Sequence, residues 1–221
     1  ALADELMHWR QQLAGAPDLL ALPSDRPRPL APTFRGGGLR FSLSPLLGTA
    51  LAAFARAEGA TLFMVLLAGY QALLGRITGR EDLLVGSAVA NRNHPEIEGL
   101  IGFFVNLLVL RGRLDGEPGF RQLLGRARAA ALDAFAHQDV PFEKLVAELR
   151  PSRSPGHHPL VQTVLVLQNA PGEMLELPGL ALRRSALPVT TAKFDLGLEV
   201  TELDGQLVGQ FEYSRDLFDA A

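Results

Sequence analysis

The chain has 221 residues, 48% of them hydrophobic and 20% charged, which is enough apolar material for a sizeable core and excludes a disordered polymer. It has no cysteine, so disulfide frameworks, thiolate metal sites and cysteine nucleophiles are all excluded, and a reducing cytoplasmic setting is the natural expectation. A formal charge of -3 with both signs interspersed leaves no basic footprint for nucleic acid, and no apolar run reaches the ~20 residues that span a bilayer.

In chain order, Leu6, Trp9 and Leu13 are spaced like one face of a short helix over residues 4–14, which Gly15 and Pro17 end. Pro23 to Pro32 is a proline-rich connector expected to run extended over the surface. A strand is expected at Leu39 to Leu43. Ser44 then caps a helix with Pro45 in its first turn and Leu47, Leu51 and Phe54 on one face. Thr61 caps a second helix, apolar almost all round to Leu74 and therefore buried on more than one side. Asp82 to Ala90 and Ile101 to Leu114 read as strands of a sheet covered on both faces. Pro118 opens a helix running to Phe135, and Pro141 a shorter one to Leu149. Four strands follow, at Leu160 to Gln168, Leu180 to Leu187, Asp195 to Glu202 and Gln206 to Tyr213. The last two are joined by a tight turn at Asp204 and Gly205. The class is a mixed α/β layer structure without repeats.

Chemical motifs are sparse. There is no GxSxG elbow, no GxxxxGK phosphate loop and no HExxH helix, and the histidines (His8, His94, His137, His157, His158) lack the spacing that sets two on one helical face, so no metal site is expected. The pair His157-His158 continues as HHPLVQT, with neither Asp nor Gly at the offsets of an HHxxxDG acyltransferase motif, and reads as a surface turn. His137, at the end of one helix, suits the C-terminal dipole, and Asp139 is placed to cap the next helix.

Ordered segments resemble the condensation domains of nonribosomal peptide synthetases. Ile101 to Leu108, IGFFVNLL, is similar to IGxFVNTL, with Leu107 in place of threonine, so Ile101, Gly102, Phe104, Val105 and Asn106 fall on the motif. His137, Gln138, Asp139, Pro141, Phe142 and Glu143 match HQDxPFE at every defined position. The segment from Arg153 to Gln162 resembles RDxSRxPLxQ through Arg153, Pro159, Leu160 and Gln162, with Ser154, Gly156 and His157 departing from it. The flanks WRQQLAGAPDLLALPSDRPRP, EDLLVGSAVANR, AKFDLGLEV and EYSRDLFD agree as well.

The resemblance implies the C-terminal lobe of a two-lobed enzyme with a chloramphenicol-acetyltransferase-like fold, a two-layer sandwich of mixed sheet and helices. Residues 1–38 would be a lobe-connecting helix and linker, residues 39–221 the lobe, and residues 169–180 (NAPGEMLELPGL) a latch onto the other lobe. The lobe carrying HHxxxDG would lie ahead of Ala1, so no catalytic residue is expected here and the piece alone is expected to be inactive. In the family, amide formation joins an acyl or peptidyl donor to an aminoacyl acceptor. Each is delivered on the phosphopantetheine arm of a carrier protein that enters a tunnel, and no cofactor is bound directly. The implied partners are the N-terminal lobe, donor and acceptor carriers and neighbouring synthetase domains, with no nucleic acid and no membrane.

Ser87, Asn91, Arg92 and Asn106 are the expected tunnel-lining residues, the alternative for Asn106 being a buried structural hydrogen bond. Val140 and Phe142, expected exposed, would meet the acceptor carrier, the alternative for Phe142 being a place in the core. Two other readings stand beside this one: a non-catalytic module docking carriers or partners, and a lobe of an epimerisation domain, against which the FVN and HQDVPFE matches argue.

Overall fold

The computed structural model describes residues 2–92, 95–151, 154–168, 180, 187–203 and 206–220. The expected latch (169–180) and the strand from Leu180 to Leu187 lie outside the described residues except for their described ends, as do the turn at Asp204 and Gly205 and the motif residue Arg153.

Helix α1 (Leu2–Gln12) opens the chain and buries Trp9. Strand β1 (Gly36–Ser42) follows the connector. In α2 (Pro45–Ala57) the Ser44 hydroxyl accepts a hydrogen bond from Leu47 N at 3.3 Å, satisfying one of the orphan donors of the first turn, while Pro45 needs none. In α3 (Leu62–Thr78) Thr61 Oγ1 accepts from Met64 N in the same way, and Gly79, at φ 67, ends the helix in a left-handed conformation that lacks a Cβ penalty. Then come β2 (Asp82–Val89), the single turn α4 (Pro95–Glu98), β3 (Asn106–Arg113), α5 (Phe120–Ala136), α6 (Phe142–Leu149), β4 (Thr163–Gln168), β5 (Leu196–Leu203) and β6 (Gln206–Ser214).

The strands form one mixed sheet in the order β1-β6-β5-β4-β2-β3, parallel at β2/β4 and β4/β5 and antiparallel elsewhere. In β2 the successive residues Leu83, Leu84 and Val85 are all essentially inaccessible. Because neighbours on a strand point to opposite faces, this strand is covered on both. Helices α3 and α5 supply Leu67, Leu74, Leu124 and Ala131 to the same core. Toward β1 the sheet thins, and most of that strand is half-buried or exposed. The mixed α/β layer class is as expected.

Three differences from the sequence reading have local causes. The strand expected from Ile101 begins only at Asn106, and Ile101, Phe103 and Val105 are exposed, because this stretch precedes the first residue paired to β2, at Val89. The strand expected from Leu160 begins at Thr163, since Leu160 holds φ 62, which no strand tolerates. Asp139 does not cap α6. The cap position is Pro141, without a side-chain cap hydrogen bond.

The described residues before β1 are anchored to the rest at particular points. Trp9, Leu13, Leu20 and Leu22 belong to the main core. Beyond them the connector is fastened to the C-terminal segment: the Asp25 and Arg26 amides donate to the Leu217 carbonyl, Thr33 binds Asp216 through both its amide and its hydroxyl, and Arg28 forms a forked ion pair with the largely buried Asp195. Proline supplies the extended φ of this strap, and the charged side chains between the prolines supply its anchors. No single described helix is long and apolar enough to cross a membrane.

Candidate functional site

Two motif segments that are distant in sequence meet at one corner, where the start of β3 faces the link between α5 and α6. Asn106, 8% exposed, holds it together. Its Nδ2 donates to the carbonyls of Gln138 and Val140, both at 2.8 Å, and its Oδ1 accepts from the amides of Phe142 at 3.0 Å and Leu107 at 2.9 Å. A primary amide has two donors and two acceptor lone pairs, and all four are used here. Asn106 therefore supplies the first turn of α6 with the acceptor that Asp139 does not. The alternative foreseen for this residue, a buried structural hydrogen bond, describes its bonding within the chain.

The rest of HQDVPFE is used in the same way. His137 ends α5, with Nδ1 2.9 Å from the Asp133 carbonyl oxygen, and its own carbonyl accepts the indole N–H of Trp9 at 3.1 Å. Gln138 Nε2 donates to the Phe135 carbonyl at 2.8 Å. Val140 and Phe142 are buried, which overturns their expected exposure: a β-branched and an aromatic side chain flanking Pro141 are drawn into the core beside Leu145. Pro141 and Glu143 face outward.

Ser87 is also enclosed, at 3% exposure, and its hydroxyl donates to the Leu165 carbonyl on neighbouring β4 at 2.9 Å, so within this chain it lines no open surface. Asn91 and Arg92, in the loop after β2, remain partly accessible. Asn91 takes φ 52, and the Arg92 guanidinium lies over the Phe104 ring, 4.4 Å from its centroid. That cation–π contact ties the β2–α4 loop to the exposed IGFFV segment. The structure therefore splits the four expected lining residues into two enclosed ones, Ser87 and Asn106, and two on an accessible loop.

In the third motif, Gln162 is 2% exposed. Its Oε1 accepts the Leu20 amide at 2.7 Å, and its Nε2 donates to the carbonyls of His158 and Asp18. Pro159 is half-buried and Leu160 buried. The pair His157-His158 directly follows a turn at Pro155 and Gly156, with both side chains half-buried, and His158 is packed more closely than a surface turn requires. Its ring sits between Phe142 and Phe194, with centroids 5.4 Å and 4.8 Å away, and burial holds the imidazole below its usual range.

A cleft of about 450 Å³ opens between α1, β3 and α5, lined by Trp9, Gln12, Arg111, Arg126 and Asp133 among others and by none of the four expected tunnel residues. Beside it, His8 stacks on His137 and reaches Asp133. Sequence reasoning missed this grouping because His8 lies 125 residues from Asp133, and no local spacing encodes the encounter.

Within the corner the side-chain amides of Asn106 and Gln138 are spent on main-chain partners, so these two groups hold backbone in place. The family model for condensation domains matches residues 1–221, and the chain belongs to that family. One linear gramicidin synthase polypeptide of Brevibacillus parabrevis is 48% identical over 100% of this chain and 4% of its own length. Among solved structures, the X-domain from teicoplanin biosynthesis superposes with a TM-score of 0.91 at 30% identity, over 99% of this chain and 50% of that one, and it has also been solved in complex with OxyB. A four-domain nonribosomal peptide synthetase in its holo form, bound to AMP and glycine, gives a TM-score of 0.90 at 26% identity, over 99% of this chain and 18% of that one. The chain spans a small fraction of the curated synthetase and half of the solved X-domain.

Proposed function

We propose that this chain is the C-terminal lobe of a condensation domain and contributes to amide formation between a carrier-bound acyl or peptidyl donor and a carrier-bound aminoacyl acceptor in nonribosomal peptide synthesis. The carrying observation is that the FVN and HQDVPFE segments are joined by Asn106 into one buried corner, from which the apolar segment Ile101 to Val105 projects into solvent. Phe103 is 91% exposed, and such a run is costly to leave against water when a covering surface exists. A second lobe bearing HHxxxDG supplies that cover and the acid–base group. Each aminoacyl or acyl substrate arrives on a phosphopantetheine arm, and Asn91 and Arg92, on the accessible loop held by Phe104, face its path. The contribution of this lobe is to hold two reactants in register, which is worth many powers of ten in rate.

The test is amide formation with both loaded carriers. The chain alone should give no product above background, and adding the HHxxxDG lobe in trans should restore turnover; product from the chain alone would overturn the reading. The likeness to the X-domain solved with OxyB favours a second reading, a docking module without catalysis. An HHxxxDG lobe from the same parent protein that restores no turnover while the pair still binds a partner enzyme would select it.

A further inference from the structure

Helix α1 passes the C-terminal end of α5, and three ligand-type side chains converge there: His8, Asp133 and His137, whose donor atoms all lie within 4.8 Å of one another. His8 Nε2 is 2.9 Å from Asp133 Oδ2, and His137 Nδ1 is 3.9 Å from Asp133 Oδ1. The two imidazoles lie face to face, 3.5 Å between centroids and 6° between planes. All three side chains are partly buried, at 22%, 34% and 27% exposure, so a hydrated ion can reach them without unfolding the lobe.

We propose that His8, Asp133 and His137 form a binding site for a divalent transition-metal ion of the zinc class, fastening α1 to the end of α5. Two imidazole nitrogens and one carboxylate oxygen suit zinc, cobalt or nickel and do not suit magnesium or calcium, which favour all-oxygen shells. With metal–ligand bonds of ~2.0 Å, the edge of a tetrahedron is about 3.3 Å, so the His8–Asp133 pair is already near ligand spacing. The His137 ring completes the set by swinging out of the stack by roughly 1 Å, guided by the same bond lengths, and its Nδ1 gives up the hydrogen bond to the Asp133 carbonyl as it does so. To bind the ion through Nε2, the neutral His8 ring carries its one proton on Nδ1, and the ion then stands between Nε2 and Asp133 Oδ2 where the hydrogen bond was. The adjoining cleft, whose lining includes Trp9, Asp133 and Ala134, admits a water to the open coordination position. Arg111 and Arg126, on the same cleft, have partners of their own in Asp82 and in the carbonyls of Arg113 and Asp115. The site requires none of the condensation chemistry proposed above.

Cobalt titration of the metal-free chain, read by its visible d–d absorption, tests the site. One equivalent should bind and zinc should displace it. His8→Gln and His137→Gln, which keep a polar side chain at each position, should each weaken binding by at least about tenfold, on the scale of losses seen even for supporting residues. A His157→Ala/His158→Ala double variant should bind as the parent does. Zinc at about 100 times its Kd should raise the thermal midpoint by roughly 5–10 °C in the parent and not in His8→Gln. Absence of a stoichiometric cobalt spectrum, equal affinity in folded His8→Gln and His137→Gln, or loss of binding in the double variant would each overturn the proposal.

Discussion

Replacing Asn106 by leucine keeps the branched four-atom skeleton of the side chain and removes every hydrogen bond that the Asn106 side chain makes. Two carbonyls, of Gln138 and Val140, lose their donor, and two amides, of Leu107 and Phe142, lose their acceptor. A buried polar group left unsatisfied costs about 1–3 kcal/mol, but Gln138 is only half-buried, so water can compensate part of the loss. A total of about 3–5 kcal/mol is expected, a large share of the ~5–15 kcal/mol that stabilises a typical domain. Urea denaturation with an unchanged m-value measures the total. Amide hydrogen exchange locates it: the Phe142 amide should lose protection by more than amides of β5, which lies away from the corner. A loss below about 1 kcal/mol together with unchanged protection at Phe142 would refute the view that Asn106 clasps the two motifs, since a single net hydrogen bond would account for it.

Other outcomes follow from the same structure. Arg28→Met strands the carboxylate of Asp195, which is 9% exposed, and should cost about 3–5 kcal/mol in chemical denaturation; Arg28→Lys should recover only part, because an ammonium cannot reproduce the forked pair. His158 has a folded value below its ordinary 6.5, because burial disfavours its charged form. The unfolded chain therefore binds its proton first as pH falls, so the contribution of this residue is complete above 6.5 and is lost on acidification from there toward the folded value. Stability measured from pH 7.5 to 5 should fall less steeply in His158→Gln than in the parent. Phe103→Ser should leave the stability of the chain within about 0.5 kcal/mol, as for other exposed sites, while, under the proposed function, reducing turnover when an HHxxxDG lobe is added in trans. An equal loss in both measurements would show that Phe103 packs within this chain.

Helix α3 was legible in the sequence because Thr61, the apolar run after it and Gly79 are local signals that tertiary packing only reinforces. The IGFFV stretch misled for the opposite reason: β-branched and aromatic residues mark a strand by composition, yet those before Asn106 precede the ladder with β2. The burial of Val140 was not legible and that of Phe142 stood only as an alternative, because the eight-residue helix α6 presents a strongly apolar face whichever side is covered, and packing against α1 and β3 decides which side that is. Asn106 was visible as a polar residue needing a partner and Gln162 as a motif position, but the partners, Phe142 for the first and Leu20 for the second, were not.

The sequence by itself determined the α/β class, most elements and the family motifs, because periodicity, caps and ordered segments are properties of neighbours along the chain. The tertiary structure alone decided that the two motifs share one amide, that the proline strap is bound to the C-terminal segment and that His8 meets Asp133 and His137. Those are contacts between residues far apart in sequence, chosen by how helices and strands pack, and no local pattern records them.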